Sequence, residues 1–226
     1  MKVKLTLNKL ISEARLFCEK ESKFDNTELF GITDGKAVGT FIEHKFANLL
    51  SEKYIYTKGS SSNGIDFPSS DILTDIKVTS IKQPQSSCPF KNAKQKIYGL
   101  GYNLLLFVYN KVDIPDKKVA KLDFVSCNFI RKERTADYQM TFALRQMIEN
   151  KAIIDDIIAY LTDRNIPADE ITMNLLAEEI MNKIPNQGYL TISNALQWRL
   201  QYGRVVSLTE KVDGIIRIVD KVNGNE

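Results

Sequence analysis

Asp66, Asp75 and Lys77 are the residues whose types and spacing can do chemistry. They stand in Gly64-Ile65-Asp66-Phe67-Pro68-Ser69-Ser70-Asp71-Ile72-Leu73-Thr74-Asp75-Ile76-Lys77-Val78-Thr79-Ser80. Side chains i and i+2 of a strand share a face, so Asp75 and Lys77 project together while Ile76 and Val78 turn into a core. Asp66, ending a preceding strand, returns over the intervening turn to lie beside Asp75. Two carboxylates brought together in this way hold one or two Mg2+ through hard oxygen ligands, and the metal activates water and stabilises charge on a phosphodiester. Lys77 then orients or helps deprotonate the water, or neutralises the pentacovalent phosphate. The expectation is a metal-dependent nuclease centre.

An acid-x-Lys triplet by itself discriminates nothing. Glu21-Ser22-Lys23, Asp34-Gly35-Lys36, Glu43-His44-Lys45, Asp116-Lys117-Lys118 and Glu149-Asn150-Lys151 also occur, most simply as solvated charges. Asp75-Ile76-Lys77 differs in its setting, the interior of a β-branched strand preceded by an Asp-Phe-Pro turn. The plainer alternative is an outward-facing ion pair on an ordinary edge strand.

The elements that must position these groups are legible from periodicity. Residues 7–20 suit a short amphipathic helix. In residues 36–53, Val38, Phe41, Ile42, Phe46, Leu49 and Leu50 fall at three- and four-residue spacing, which predicts a helix of about five turns. Glu43 sits beside that stripe, where it either reaches a metal site over the neighbouring sheet or stays a surface charge next to His44 and Lys45. A lone His44 without an orienting partner is a surface or packing residue rather than a general base. Residues 54–57 read as a short strand, Gly59 to Gly64 as a polar turn, a second strand then carries Asp66, and a third covers residues 72–81. The loop at 82–90 holds Gln83 and Gln85, whose amides can donate to phosphates or base edges, unless its prolines merely break the strand. A basic helix over residues 91–98 includes Lys91 and Lys94 and ends at Gly99. Residues 103–109 are continuously apolar, as in a strand buried on both faces, and a further strand near residues 122–131 extends the sheet.

Residues 36–112, with Glu43 on a helix, Asp66 on a hairpin and Asp75-Ile76-Lys77 on the next strand, resemble the core of the PD-(D/E)XK nuclease superfamily. Gly64-Ile65-Asp66-Phe67-Pro68, Asp75-Ile76-Lys77-Val78-Thr79-Ser80 and Gln83-Pro84-Gln85 resemble type II restriction endonucleases most closely, and the short gap between the acids is similar to the methyl-directed mismatch-repair nicking enzyme. The resemblance implies Asp66 and Asp75 as metal-binding acids, Lys77 as the lysine and Glu43 as the helix acid. Here the proline follows Asp66, at Pro68, instead of preceding it. Asp71 competes for the place of the first acid, but it lies so close to Asp75 that a turn and two converging carboxylates fit poorly, which favours Asp66.

Downstream the chain is mostly helical: one long helix over residues 135–162 and a second over 169–183. Residues 189–204 then suit a capped helix carrying Asn194, Gln197, Arg199, Gln201 and Arg204, side chains that read bases or grip phosphates. Residues 205–219 follow as a two-stranded ribbon, a helix-plus-wing arrangement; the plainer alternative is a structural helix with Trp198 and Leu200 in the core. The division expected is a nuclease core with an N-terminal helical segment over residues 1–133, and a helical, winged DNA-recognition or dimerisation subdomain over 134–226. The fold class is α/β: a restriction-endonuclease-like core, with a mixed central sheet flanked by helices, and a mostly α-helical C-terminal subdomain.

With 226 residues, 43% of them hydrophobic, the chain can bury a substantial core. Its 31 basic and 28 acidic residues give a net charge of only +3, so any phosphate-binding surface must be local. Three cysteines without ligand spacing and one histidine argue against a zinc site or a disulfide framework and for a reducing compartment. No apolar run approaches the roughly 20 residues of a membrane span and the N-terminus lacks a signal-peptide core, so a cytoplasmic location is expected. The resemblance implies a Mg2+-dependent type II restriction endonuclease acting on double-stranded DNA, paired with a cognate DNA methyltransferase. Cutting two antiparallel strands at a symmetric site calls for a homodimer. The alternatives are a nicking, repair or junction-resolving nuclease, and a non-catalytic DNA-binding regulator with a degenerate core.

Overall fold

Leu104 to Tyr109 are all buried, Leu104 to Val108 completely. A strand with no exposed side takes the middle of a sheet covered on both faces. The structure, a computed structural model, describes residues 2–59, 64–88, 91–193 and 199–224. In chain order its elements begin with β1 (Val3–Lys4), α1 (Leu7–Glu21), β2 (Asp25–Asn26), α2 (Gly35–Lys53), β3 (Tyr54–Ile55), β4 (Thr74–Ser80) and β5 (Gln85–Ser87). They continue with α3 (Lys94–Tyr98), β6 (Asn103–Ile114), β7 (Val119–Ile130), α4 (Tyr138–Glu149), α5 (Ile154–Asp163) and α6 (Glu170–Asn182). The last are β8 (Thr191–Ile192), β9 (Arg199–Gln201), α7 (Gly203–Val206) and β10 (Ile215–Asp220). The fold is mixed α/β, a mixed sheet flanked by helices.

Two compact units share the chain. The first comprises residues up to Ser86, Tyr102–Ile130 and the chain from Val206 onward. Its sheet runs β10-β7-β6-β4, with β2 added on β7; β4 and β6 are parallel and the other pairs antiparallel. Thr6 caps α1 and the Asp34 carboxylate caps α2 through the Lys36 and Ala37 amides. The two helices place Phe17 and Phe46 against Phe107 of β6 and Phe124 of β7. The Phe17 ring lies 5.1 Å from Phe46, 5.8 Å from Phe107 and 5.9 Å from Phe124. Truncating one such ring to Ala costs about 3–5 kcal/mol. Glu13, buried on α1, accepts from Lys53 Nζ and Tyr54 Oη, both at 2.7 Å. Burial pushes its carboxyl up, but these two hydrogen bonds outweigh it and hold Glu13 below the usual range.

The second unit comprises Ser87–Gly101 and Arg131–Val205. Ile97 of α3, Leu144 of α4, Ile157 and Leu161 of α5, and Ala177 and Ile180 of α6 are fully buried together. Asp137 caps α4 and Asp169 caps α6.

Five local expectations are corrected. The helix expected over residues 135–162 is two helices: Lys151 takes φ +62°, and the Asp156 carboxylate accepts from Ile153 N–H to open α5. The helix expected over 189–204 is replaced at both ends by β8 and β9, an antiparallel pair with Thr191 opposite Gln201. The ribbon expected over 205–219 supplies one strand, β10, which pairs with β7, because the stretch of β7 over residues 126–130, beyond β2 on the same edge, offers it hydrogen bonds. The strand expected to carry Asp66 shrinks to a single antiparallel bridge between Phe67 and Thr74, since Pro68 has no N–H to continue it. The tail of the expected 54–57 strand is likewise missing, for β3 stops at Ile55.

Candidate active site

β4 carries Asp75 and Lys77 on one face, in parallel register with Leu104 and Leu106 of β6. Lys77 Nζ lies 2.7 Å from Asp75 Oδ2, the carboxylate side chain 6% exposed and the lysine 20%. Asp66 arrives through the Phe67–Thr74 bridge, whose two hydrogen bonds are 2.9 and 3.0 Å long. Its own Oδ2 accepts the Ile76 N–H at 2.7 Å, which fixes the carboxylate against the middle of β4. Phe67, 2% exposed, packs its ring 5.3 Å from Tyr56 and anchors the segment in the core.

Glu43 approaches from α2, whose Gly39, one turn earlier, faces the Val78 carbonyl of β4 at ordinary van der Waals distance from where a Cβ would lie. Burial, then the Asp66 charge, lifts the Glu43 carboxyl from 4.5 to about 7; Lys77 opposes this and Asp75 adds to it. Asp75 is likewise pushed from 3.8 to about 7 by burial, with Lys77 pulling it down and a hydrogen bond shared with Asp66 raising it. Three acids therefore crowd one lysine in a place where two of them resist ionisation at neutral pH.

A divalent metal fits this donor set. Asp75 Oδ2 is buried and, although beside Lys77 Nζ, receives no aligned hydrogen bond. The hard carboxylate oxygens of Asp66 and Asp75 share one spot, and a cation there relieves their repulsion. Among the described residues no three His, Cys, Asp or Glu side chains converge as a ready-made metal cage. The fit therefore rests on the two aspartates, with Glu43 within Coulombic reach.

Asp71 points elsewhere: it pairs with Lys4 at 2.8 Å on the surface, and that hydrogen bond holds its carboxyl below the usual range. Backbone groups of Gln83 and Gln85 are tied to the Thr79 hydroxyl at 3.1–3.2 Å, which leaves the Gln83 side chain exposed just beyond β4. In the second unit Lys91 is exposed, while Lys94 is paired with Glu179 at 2.6 Å. Arg199 and Gln201 flank buried Leu200 and share the exposed face of β9. The Arg204 guanidinium lies 3.6 Å above the Tyr138 ring centroid. Asn194 and Gln197 lie outside the described residues.

Two residues that support the site are not evident from the sequence. Gly59 donates its N–H to the Asp66 carbonyl at 2.8 Å, and a Cβ there would fall 1.8 Å from the Ile65 carbonyl oxygen. Only glycine admits this approach. Asn103 donates Nδ2 to the Ile72 carbonyl at 2.9 Å and its backbone N–H to Leu73 O at 2.8 Å, gripping the turn between the two aspartates. Leu73 holds φ +37° there. An Asn following a Gly-rich turn was the sole signal for it.

No solved structure matches the chain. A family model described as type II restriction enzyme NspV matches residues 4–217. The curated type II restriction enzyme NspV of Nostoc sp. (strain ATCC 29411 / PCC 7524) is 52% identical over 214 residues, which span 95% of this chain and 96% of that protein. With matches of that extent over a chain that gathers Glu43, Asp66, Asp75 and Lys77 in one place, the protein belongs to the NspV family of type II restriction enzymes.

Proposed function

We propose that the chain hydrolyses both strands of double-stranded DNA at a specific sequence, with Asp66 and Asp75 holding Mg2+ and Lys77 and Glu43 completing the centre. The observation that carries this assignment is the crowding of three acids around Lys77 at the middle of β4, within a family of restriction enzymes. The order helix, bridge, acid-x-Lys strand, with β4 parallel to β6, supports a restriction-endonuclease-like core of the PD-(D/E)XK kind.

When bound, Mg2+ supplies a polarised water and charge stabilisation on the phosphate. The rest falls to the chain. Asp66, fixed by the Ile76 amide, presents one orientation of its carboxylate. The Lys77 ammonium, held beside Asp75, orients the attacking water and offsets negative charge as the pentacovalent phosphate forms. Glu43, with its carboxyl near 7, is able to accept a proton from that water near neutral pH. Asp66 is preferred to Asp71 as the first acid because Asp71 is engaged by Lys4 at the surface.

Gln83, Gln85, Lys91, Lys94, Asn194, Gln197, Arg199, Gln201 and Arg204 are proposed as DNA contacts, the last five within a recognition segment of the second unit. A homodimer supplies two centres for two strands. A cognate DNA methyltransferase protects the host site, and the cytoplasm is where such a pair acts.

The test is incubation of the purified protein with long unmethylated DNA and Mg2+, beside Asp75→Ala and EDTA controls. Discrete fragments that vanish in both controls are expected. DNA left intact but shifted on a gel overturns the assignment in favour of a binding regulator, and smearing overturns sequence specificity.

A further inference from the structure

The face of β4 that carries Asp75 and Lys77 ends in Thr79, which shares their side by the two-residue period and is 5% exposed. A hydroxyl offers one proton and two lone pairs. Thr79 Oγ1 uses both kinds: it accepts the Gln85 N–H at 3.1 Å, and its proton is directed at the Gln83 and Gln85 carbonyl oxygens, at 3.2 and 3.1 Å. The chain in between is held as closely. Gln83 N–H donates to the Ser80 carbonyl at 3.3 Å and Lys82 N–H to Ser80 Oγ at 3.2 Å, while Ile81 N–H ties the base of the turn to Tyr109 O of β6 at 2.9 Å. Pro84 has no N–H and a fixed φ. The backbone donors from Ile81 to Gln85 are thereby committed inside the turn or to β6, and what the turn presents outward is side chains, with Lys82 and Gln83 exposed.

We propose that Thr79 is a positioning residue for sequence discrimination: its buried hydroxyl holds the 80–85 turn at the end of β4, so that the Gln83 and Gln85 amides meet base edges in one fixed geometry. The inference rests on the function proposed above and names the group on which reading of the site depends. A side-chain amide distinguishes one base from another only when its donor and its acceptor are both aligned, and a turn fixed beforehand loses less freedom on binding. Thr79 stands two residues, roughly 7 Å, from Lys77 along β4. The turn that carries the readers and the strand that carries the acids therefore share one element, itself paired along its length with β6. Without the hydroxyl the Gln85 N–H loses its acceptor and the turn its tie to the strand.

Discrimination is read as the ratio of two kcat/KM values in Mg2+, one on a duplex holding the site that the unaltered protein cuts, the other on the same duplex with one base pair of that site changed. Thr79→Val keeps the shape and loses the hydroxyl; the ratio is expected to fall at least about tenfold, chiefly through a higher KM on the first duplex. Thr79→Ser retains the hydroxyl and should stay within about threefold of the unaltered protein. Thr6→Ala, which removes the cap of α1, is the control for lowered stability: it reduces the folded fraction equally for both duplexes, so the ratio holds. Where Thr79→Val does not fold, Pro84→Gly loosens the same turn at a half-buried position and is expected to lower the ratio in the same direction. An unchanged ratio in Thr79→Val, or in Pro84→Gly where it stands in, overturns the proposal, as does a Thr79→Ser as poor as Thr79→Val. DNA left uncut by the unaltered protein refutes the function proposed above and this inference with it; site-specific cutting with an unchanged ratio refutes this inference alone.

Discussion

Asp75, proposed above as a metal-binding acid, shows what burying a carboxylate costs the fold. Its carboxyl, moved from 3.8 to about 7 chiefly by burial, is easier to keep protonated in the folded chain than in the unfolded one. A raised carboxyl contributes stability that is complete below about pH 4 and lost as pH rises through about 7. Metal-free protein is therefore expected to melt at progressively lower temperature between pH 5 and pH 8. Asp75→Asn removes the burial of charge: calorimetry in EDTA should show a flatter profile and a higher midpoint at pH 8, by about 2–4 °C for each kcal/mol recovered. The same variant should lose at least about a hundredfold in cleavage rate. A midpoint at pH 8 no higher than that of the wild type would show that the crowding of carboxylates costs the fold nothing.

At the scale of elements, the site depends on how a turn is held. Residues 66 and 75 come together because the chain folds back at Phe67–Thr74, with Ser69 O accepting from both Ile72 and Leu73 N–H and Asn103 gripping the far side. Asn103→Ala removes the hydrogen bond to the Ile72 carbonyl, about 1 kcal/mol, for a fall of at least about 2–4 °C in melting temperature. If that bond, by steadying the turn between them, helps place the proposed aspartates, kcat should fall about tenfold with KM nearly unchanged, measured on the folded variant. Gly59→Ala forces the backbone away from Ile65 and withdraws the hydrogen bond to the Asp66 carbonyl. It should lower kcat and raise the Mg2+ concentration needed for half-maximal rate, whereas Gly39→Ala, with ordinary room against Val78, should do neither. Equal effects of the two glycine variants would refute the special role of Gly59.

At the scale of the molecule, one chain gathers one set of acids, and double-strand cleavage needs two. Light scattering of the purified protein should give twice the chain mass, and a monomer that still cuts both strands in one encounter would contradict the dimer. The net charge of +3 is too small to hold a duplex by itself, which is why the contacts proposed above are local groups, among them Arg199 and Gln201, both exposed on β9. The two units are each discontinuous in sequence: the second takes in Ser87–Gly101, inserted between β4 and β6 of the first.

The sequence by itself determined the chemical groups and the short-range order around them. The Asp75-Ile76-Lys77 strand, the apolar run that became β6, the stripe of α2 beside Glu43 and the helix over residues 169–183 were all legible. Each is written in the residue pattern of its own segment, in a period of two or of 3.6 residues or in an unbroken apolar run. Where a neighbour distant in sequence decides, the pattern was silent or misleading. The apolar alternation of 215–219 suited a free ribbon as well as an edge strand, and only the open side of β7 made it β10. The polar run at 189–204 suited a helix until Leu200 was paired opposite Ile192. The raised carboxyls of Glu43 and Asp75, the need for glycine at position 59 and the burial of Lys96 belong to tertiary structure alone. They depend on dielectric surroundings and close approaches created by segments far apart in the chain, which local spacing does not encode.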